Sequence, residues 1–261
     1  MQGKFSAGFA MILFAMAGVP AHAQRREGGS PQPAKAEQLF AMANSTRAQE
    51  GRGHLKWDQA LADAALKHCM RMAAEGPISH RYSGESDLTA RAADAGAHFS
   101  LIEENIAVGP YPGSIHQGWL DSPGHRANLL NPDIDRVGIA VVAARGVLFA
   151  VADYAHTVPV LTQSEVEAQI GSLLRAQGIA LTRENAIARA ACRLEKGLPS
   201  QTGGSGPEFV MRWQDANLDR LPPRLVENLG SGRYRRAEVG SCPAHDGQGA
   251  FTVYRVAVLL Y

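Results

Sequence analysis

Cysteine, net charge and long apolar runs are all scarce in this sequence, and each scarcity removes a class of protein. The three cysteines, Cys69, Cys192 and Cys242, show no Cys-x-x-Cys spacing, which argues against a cysteine zinc site. Lysine and arginine total 26 against 25 acidic residues, a formal net charge of +1. So balanced a chain carries no electrostatic footprint for nucleic acid. Its densest basic run, Arg233-Tyr234-Arg235-Arg236, reads as a solvated face. Beyond the N-terminus no segment approaches the ~18 to 20 apolar residues of a membrane span. What is present is an ordinary apolar fraction, 45%, and charged fraction, 20%, in a chain long enough for one large or two small folded domains.

Lys4 precedes the apolar run Phe5 to Val19, Pro20 breaks it, and Ala21-His22-Ala23 follows as a small-x-small triplet. This is the pattern of a secretory signal peptide over residues 1–23, cut before Gln24, with no cysteine at the cut to take a lipid. The expected mature protein is secreted or periplasmic and has no transmembrane segment. Export permits disulfides, and three cysteines leave one unpaired.

Residues 24–36 read as a flexible lead-in. Apolar periodicity then predicts a helix over 35–49, with Leu39, Met42, Ala43 and Thr46 on one stripe, and a second from Asp58, its N-cap, to Gly76-Pro77. His68 and Cys69 lie on or beside the second stripe and read as packed core. Asp87 caps a short third helix ending at Gly96, and Ser114 starts a fourth in which Ile115 and Trp119 share a face. Ser122, followed by Pro123, starts a fifth and places His125 in its first turn. Val137 to Val142 and Val147 to Asp153, joined through Ala144-Arg145-Gly146, form a hairpin apolar at nearly every position, hence buried on both faces. Helices therefore flank a small sheet in a first domain over 37–156.

After a linker at 157–163 comes a smaller α+β module over 164–261. In it Ser164 and Glu167 have the spacing of a capping box, and Thr182 opens a helix running to Gly197. Ser200 to Pro207 reads as a glycine-rich loop, and Phe209 to Trp213 and Phe251 to Tyr261 as strands. "TRAQEGRGHL" is echoed by "LRAQGIAL", and "RVGIAVV…LFAVADYA" by "EVGSCPA…FTVYRVAVLLY". Either Ala-rich helices match by chance, or the module is a degenerate copy that keeps the scaffold and has lost the polar site. In the repeat register Cys192 closes a helix on the sheet and Cys242 starts the buried hairpin. They are then close enough for a disulfide, which leaves Cys69 as a buried thiol.

The segment "GPISHRYSGESDLTARAADAGAHF…EENIAVG…GWLDSPGHRANLLNPDIDRVGIAV…FAVADY" resembles the bacterial secreted branch of the CAP superfamily. That superfamily comprises the sperm-coating, cysteine-rich secretory, antigen 5 and pathogenesis-related 1 proteins, and the resemblance runs from about Leu39 to Ala155. It implies an α+β fold, a three-layer α-β-α sandwich. It also implies an open cleft lined by two histidines and one or two acidic residues, which in several members holds a divalent metal. The first histidine matches His80, the Glu-Asn pair Glu104-Asn105, and the second histidine His125. Glu103 replaces the usual glycine, and Ser122 replaces the acid that plant and animal members carry three positions after the tryptophan. The expected ligand cleft is thus His80, Glu104, Asn105, Ser122 and His125, with His80, Glu104 and His125 as metal ligands. Neutral imidazoles with a carboxylate suit zinc or another divalent ion with one open position. Arg126 and Asn128 are expected to hold the helix and neighbouring loops by hydrogen bonds.

Three functions follow. The first is a secreted module binding an extracellular or cell-envelope ligand, lipid or peptide. The second is a metal-assisted hydrolase using His80, Glu104 and His125. The third is a structural or interaction protein with a residual site. Whether the chain catalyses anything stays open at this point.

Overall fold

A computed structural model describes residues 29–199, 206–243 and 251–261. The signal peptide, the start of the lead-in and most of the glycine-rich loop lie outside the described residues. The first domain has five strands, β1 (Ser30–Pro31), β2 (Lys56–Trp57), β3 (Phe99–Gly109), β4 (Arg136–Ala144) and β5 (Val147–Thr157). Its helices are α1 (Pro33–Gln49), α2 (Gln59–Glu75), α3 (Leu88–Asp94), α4 (Pro112–Asp121) and α5 (Pro123–Leu130). The sheet runs β1-β4-β5-β3, and β2 pairs with β4 in parallel.

Alternation along the central hairpin builds both layers. On one face Ile139, Val141, Leu148, Ala150 and Tyr154 pack against Leu39 and Ala43 of α1, Trp119 of α4 and Leu129 of α5. On the other, Ala140, Val142, Phe149 and Val151 meet Ala65, Cys69 and Met72 of α2. The result is the expected α-β-α sandwich, and the hairpin is buried on both faces as its composition requires. Among the described residues no helix is long and apolar enough to cross a membrane.

The second module contains α6 (Gln163–Ala176), β6 (Ala180–Leu181), α7 (Ala186–Cys192), β7 (Phe209–Asp215), α8 (Pro223–Gly230), β8 (Arg236–Cys242) and β9 (Tyr254–Leu260). Its sheet order, β6-β8-β9-β7, with β6 parallel and the other pairs antiparallel, repeats the path β2-β4-β5-β3 direction for direction. A glycine marks the equivalent point in each sheet. A Cβ on Gly138 would lie 2.0 Å from the Ala62 nitrogen of α2, and one on Gly240 would lie 2.2 Å from the Arg189 nitrogen of α7. Only a residue without Cβ lets each helix approach its sheet so closely.

Cys192 and Cys242 form the expected disulfide, with Cα atoms 5.9 Å apart. Cys69 is the free, buried thiol. It donates to the Phe149 carbonyl at 3.2 Å, and burial pushes its pKa up to about 12. With Arg189 equivalent to Ala62, Cys192 takes the position of Ala65.

Several boundaries move. The lead-in is anchored before its expected end, because Ser30 pairs with Ala143 and α1 begins at Pro33, where the missing N–H costs no helical bond. The capping box is Thr162 with Glu165, two residues before the expected pair. α4 begins at Pro112, two residues before Ser114. α7 starts after Asn185 and stops at Cys192, well short of Gly197. α8 and the long β3 are additional elements.

Gly138→Ala is expected to destabilise the protein by ~1–3 kcal/mol, since helix backbone cannot yield to the new methyl. Gly118→Ala, in open space on α4, should instead gain ~0.5–1 kcal/mol. Urea unfolding of the two variants checks the contrast.

Candidate functional site

The site straddles β3, the edge strand of the first sheet, and draws on both helical layers. Glu104 lies opposite Asp153 of β5, so both side chains face the α2 and α3 layer, whereas Asn105 faces α4 and α5. Glu104 is buried, and each of its oxygens has a partner. Oε1 accepts from His80 Nδ1 at 2.8 Å, and Oε2 accepts from the Arg91 guanidinium. A buried carboxylate needs such a cation, because desolvation would otherwise drive it neutral.

Arg91 stands on α3, begun by Asp87, whose carboxylate caps the Ala90 N–H at 2.9 Å. It also donates to the His80 carbonyl at 3.1 Å and so ties the histidine's backbone to the helix. The His80 ring is more than half exposed. Its hydrogen bond to Glu104 raises its pKa above the ordinary imidazole value, against an opposing effect of burial.

His125 arrives from the other layer. Asn105, fully buried, donates to the His125 carbonyl at 2.9 Å and accepts from Asn128 at 3.0 Å; Asn128 also donates to the Glu104 carbonyl at 3.2 Å. Asn105 is therefore a clamp that fixes the start of α5 on β3, not a lining residue of a cleft. Burial, then the nearby charge of His80, lowers the pKa of His125. Arg126 pairs with Glu50 at 2.7 Å, fastening α5 to the end of α1. Ser122 is the N-cap of α5 through its backbone, with its carbonyl accepting from Arg126 N–H at 2.8 Å, but its hydroxyl makes no capping bond.

Beneath the surface lie groups that the residue pattern did not single out. Asp153 is fully buried and its oxygens have no hydrogen-bond partner among the described residues. Desolvation, then the adjacent Glu104, pushes its pKa well above the ordinary carboxylate value. The one acidic residue within the buried strand stretch 148–155 was the available signal. His68 is buried as expected but is part of a polar network: Nδ1 meets Glu85 at 2.8 Å and Nε2 the Ser79 carbonyl at 2.9 Å. It thereby holds the loop that carries His80.

The metal expectation does not fit this arrangement. Glu104 spends both oxygens on His80 and Arg91. Among the described residues no three His, Cys, Asp or Glu side chains form a group that could hold a metal ion. His80, Glu104 and His125 are brought to one edge of the sheet without forming a ligand set. In the second module the same cross-strand position holds Arg212 opposite Ala257 in place of Glu104 opposite Asp153, so the frame recurs without the acids.

Residues 40–154 match the family model of the cysteine-rich secretory protein family, CAP. Among curated relatives, the uncharacterized membrane protein YlbC of Bacillus subtilis (strain 168) is 32% identical over 111 residues, 42% of this chain and 32% of that protein. The uncharacterized protein YkwD of the same organism is 26% identical over 110 residues, 41% of this chain and 42% of that protein. The match thus spans less than half of either relative. Among solved structures, an outer surface protein from Borrelia burgdorferi aligns with a TM-score of 0.46 at 21% identity, over 49% of this chain and 98% of that one. An extracellular protein containing a SCP domain from Bacillus anthracis str. Ames aligns with a TM-score of 0.45 at 30% identity, over 48% and 41%.

Arg91→Ala would strand the buried Glu104 carboxylate, and we expect it to cost ~3–5 kcal/mol in urea unfolding. The double variant Arg91→Met with Glu104→Met should cost clearly less than Arg91→Ala alone. Equal costs would show that the pair is not coupled.

Proposed function

We propose that the chain, whose residues 40–154 match the family model of the cysteine-rich secretory protein family, is a binding module for an extracellular or cell-envelope ligand. The site takes the acidic group of a lipid or peptide. One observation carries the reading: an exposed imidazole, His80, is held by a buried carboxylate that raises its pKa. Glu104 occupies Nδ1, so Nε2 is the nitrogen left to meet a ligand, beside the less basic His125.

The charge logic gives the pH dependence. The imidazolium of His80 persists up to its raised pKa, so affinity for an acidic ligand is full below that value and falls as pH rises through it. Palmitate, anionic phospholipid vesicles and short cell-wall peptides are suitable probes for calorimetric titration. One of them should bind saturably, weaken by about tenfold or more in His80→Ala, and weaken as the pH rises. No binding by any probe, or binding indifferent to His80→Ala, contradicts the reading. Turnover of ester or peptide substrates, lost in His125→Ala, would replace it with the hydrolase.

A further inference from the structure

The outer edge of β4 is covered in two places and open between them. At one end the Val137 carbonyl accepts from Asp58 N–H at 3.0 Å beside β2, and at the other the Val141 carbonyl accepts from Gln32 N–H at 2.8 Å beside β1. Strand geometry turns the N–H and C=O of Ile139, midway between, to that same edge. No described residue bonds them there. The gap opens into a cavity of about 640 Å³ between α1 and α2, whose walls include Phe40, Trp57, Leu66 and Val141. Among the described residues, the only charged ones lining it are Glu37 and Asp63. Phe40 and Trp57 meet edge to face at 5.5 Å, and Trp57 is exposed.

The second module shows what this edge accepts. With Gly240 equivalent to Gly138, Ser241 is the counterpart of Ile139. Ser241 N–H donates to Glu167 at 3.0 Å, and its carbonyl accepts from the Gln163 side-chain amide. Glu167 is held in turn by Arg189, with bonds of 2.7 and 2.6 Å, and by Asn185 at 2.7 Å. Glu167 lies five residues past its N-cap, Thr162, as Glu37 lies five past Gln32. Arg189, however, is replaced by Ala62. The second module thus plugs its own edge with an acceptor, a donor and a carboxylate-guanidinium pair. The first module retains the carboxylate and leaves the other places free.

We propose that this cleft docks an extended peptide segment of a partner protein, which hydrogen-bonds to Ile139 between β1 and β2, seats an apolar side chain between Phe40, Trp57 and Leu66, and sets a basic side chain against Glu37 and Asp63. Each part of the occupant answers a feature present here. The edge needs one donor and one acceptor at strand spacing, which a peptide bears on its backbone. The pocket is apolar and of a size that holds side chains. The acidic rim, with no cation among its described lining residues, calls for the arginine that the second module supplies from within.

The capped peptide Arg-Thr-Leu-Thr-Arg is the probe, because residues two apart in an extended chain share a face. Titrated into the whole protein, it should bind at one site and shift the Ile139 amide resonance. Ala62→Arg, which recreates the internal plug, should abolish binding, and Glu37→Gln, at an exposed position, should weaken it about fivefold. N-methylation of the leucine should weaken the peptide by about tenfold, and His80→Ala should leave binding unchanged, which separates this site from the histidine site. Failure of the peptide to bind, equal binding by folded Ala62→Arg, or equal binding of a peptide with glutamate for arginine would overturn the proposal. So would palmitate, or a second copy of the chain, occupying the cleft in place of the peptide.

Discussion

A single buried carboxylate sets the terms for the histidine edge of this protein. Glu104 sits inside the sheet-helix interface, where an ion without partners is untenable. Its neighbours follow from that constraint. Arg91 must come from α3, so the loop before α3 must close over β3, and His80 rides on that loop. Asp153, directly across the strands, lies in the same dry space, and desolvation together with the adjacent Glu104 raises its pKa. The exposed imidazole is therefore positioned by the buried carboxylate to which it is directly bonded. Asn105, the next residue along β3, performs the matching task for the other layer by clamping α5 and His125.

The same frame is built twice with different contents. Gly138 and Gly240 permit the same close helix approach, and the paths of the two sheets coincide. The second module replaces the acid pair by Arg212 and Ala257, and the Arg212 guanidinium donates to the Ala191 carbonyl at 2.6 Å. It replaces the contact between Ala65 and Ala140 by the Cys192–Cys242 bridge. With a loop of 50 residues closed, the chain-entropy account attributes ~4 kcal/mol to such a bond. One module has kept polar groups at its β3 edge and open space at its β4 edge. Its companion has filled both with internal pairs, the pattern of a scaffold retained for packing.

How much of this could be read from the residues varies with the physics involved. The hairpin, α2 and α3 were legible because β-branched runs and Asp caps act within a few residues. β3 was not, because Glu103, Glu104 and Asn105 interrupt its apolar pattern with side chains whose partners lie 13 to 28 positions away. The disulfide was legible through export and the repeat, which put Cys192 on the helix and Cys242 on the strand that meet in the second module. The ordered match of His80, Glu104-Asn105 and His125 found the right edge of the molecule. It could not reveal that Arg91 neutralises Glu104, since no local rule ties an arginine on a short helix to a carboxylate 13 positions on.

The coupling of His80 to Glu104 is the claim on which the histidine site rests, and NMR titration of the imidazole resonances tests it most directly. The account predicts that His80 titrates above the ordinary histidine value of about 6.5 and His125 below it. In Glu104→Gln the value for His80 should fall back toward the ordinary one. A His80 that titrates at the ordinary value in the native protein, or is unmoved by Glu104→Gln, would contradict it.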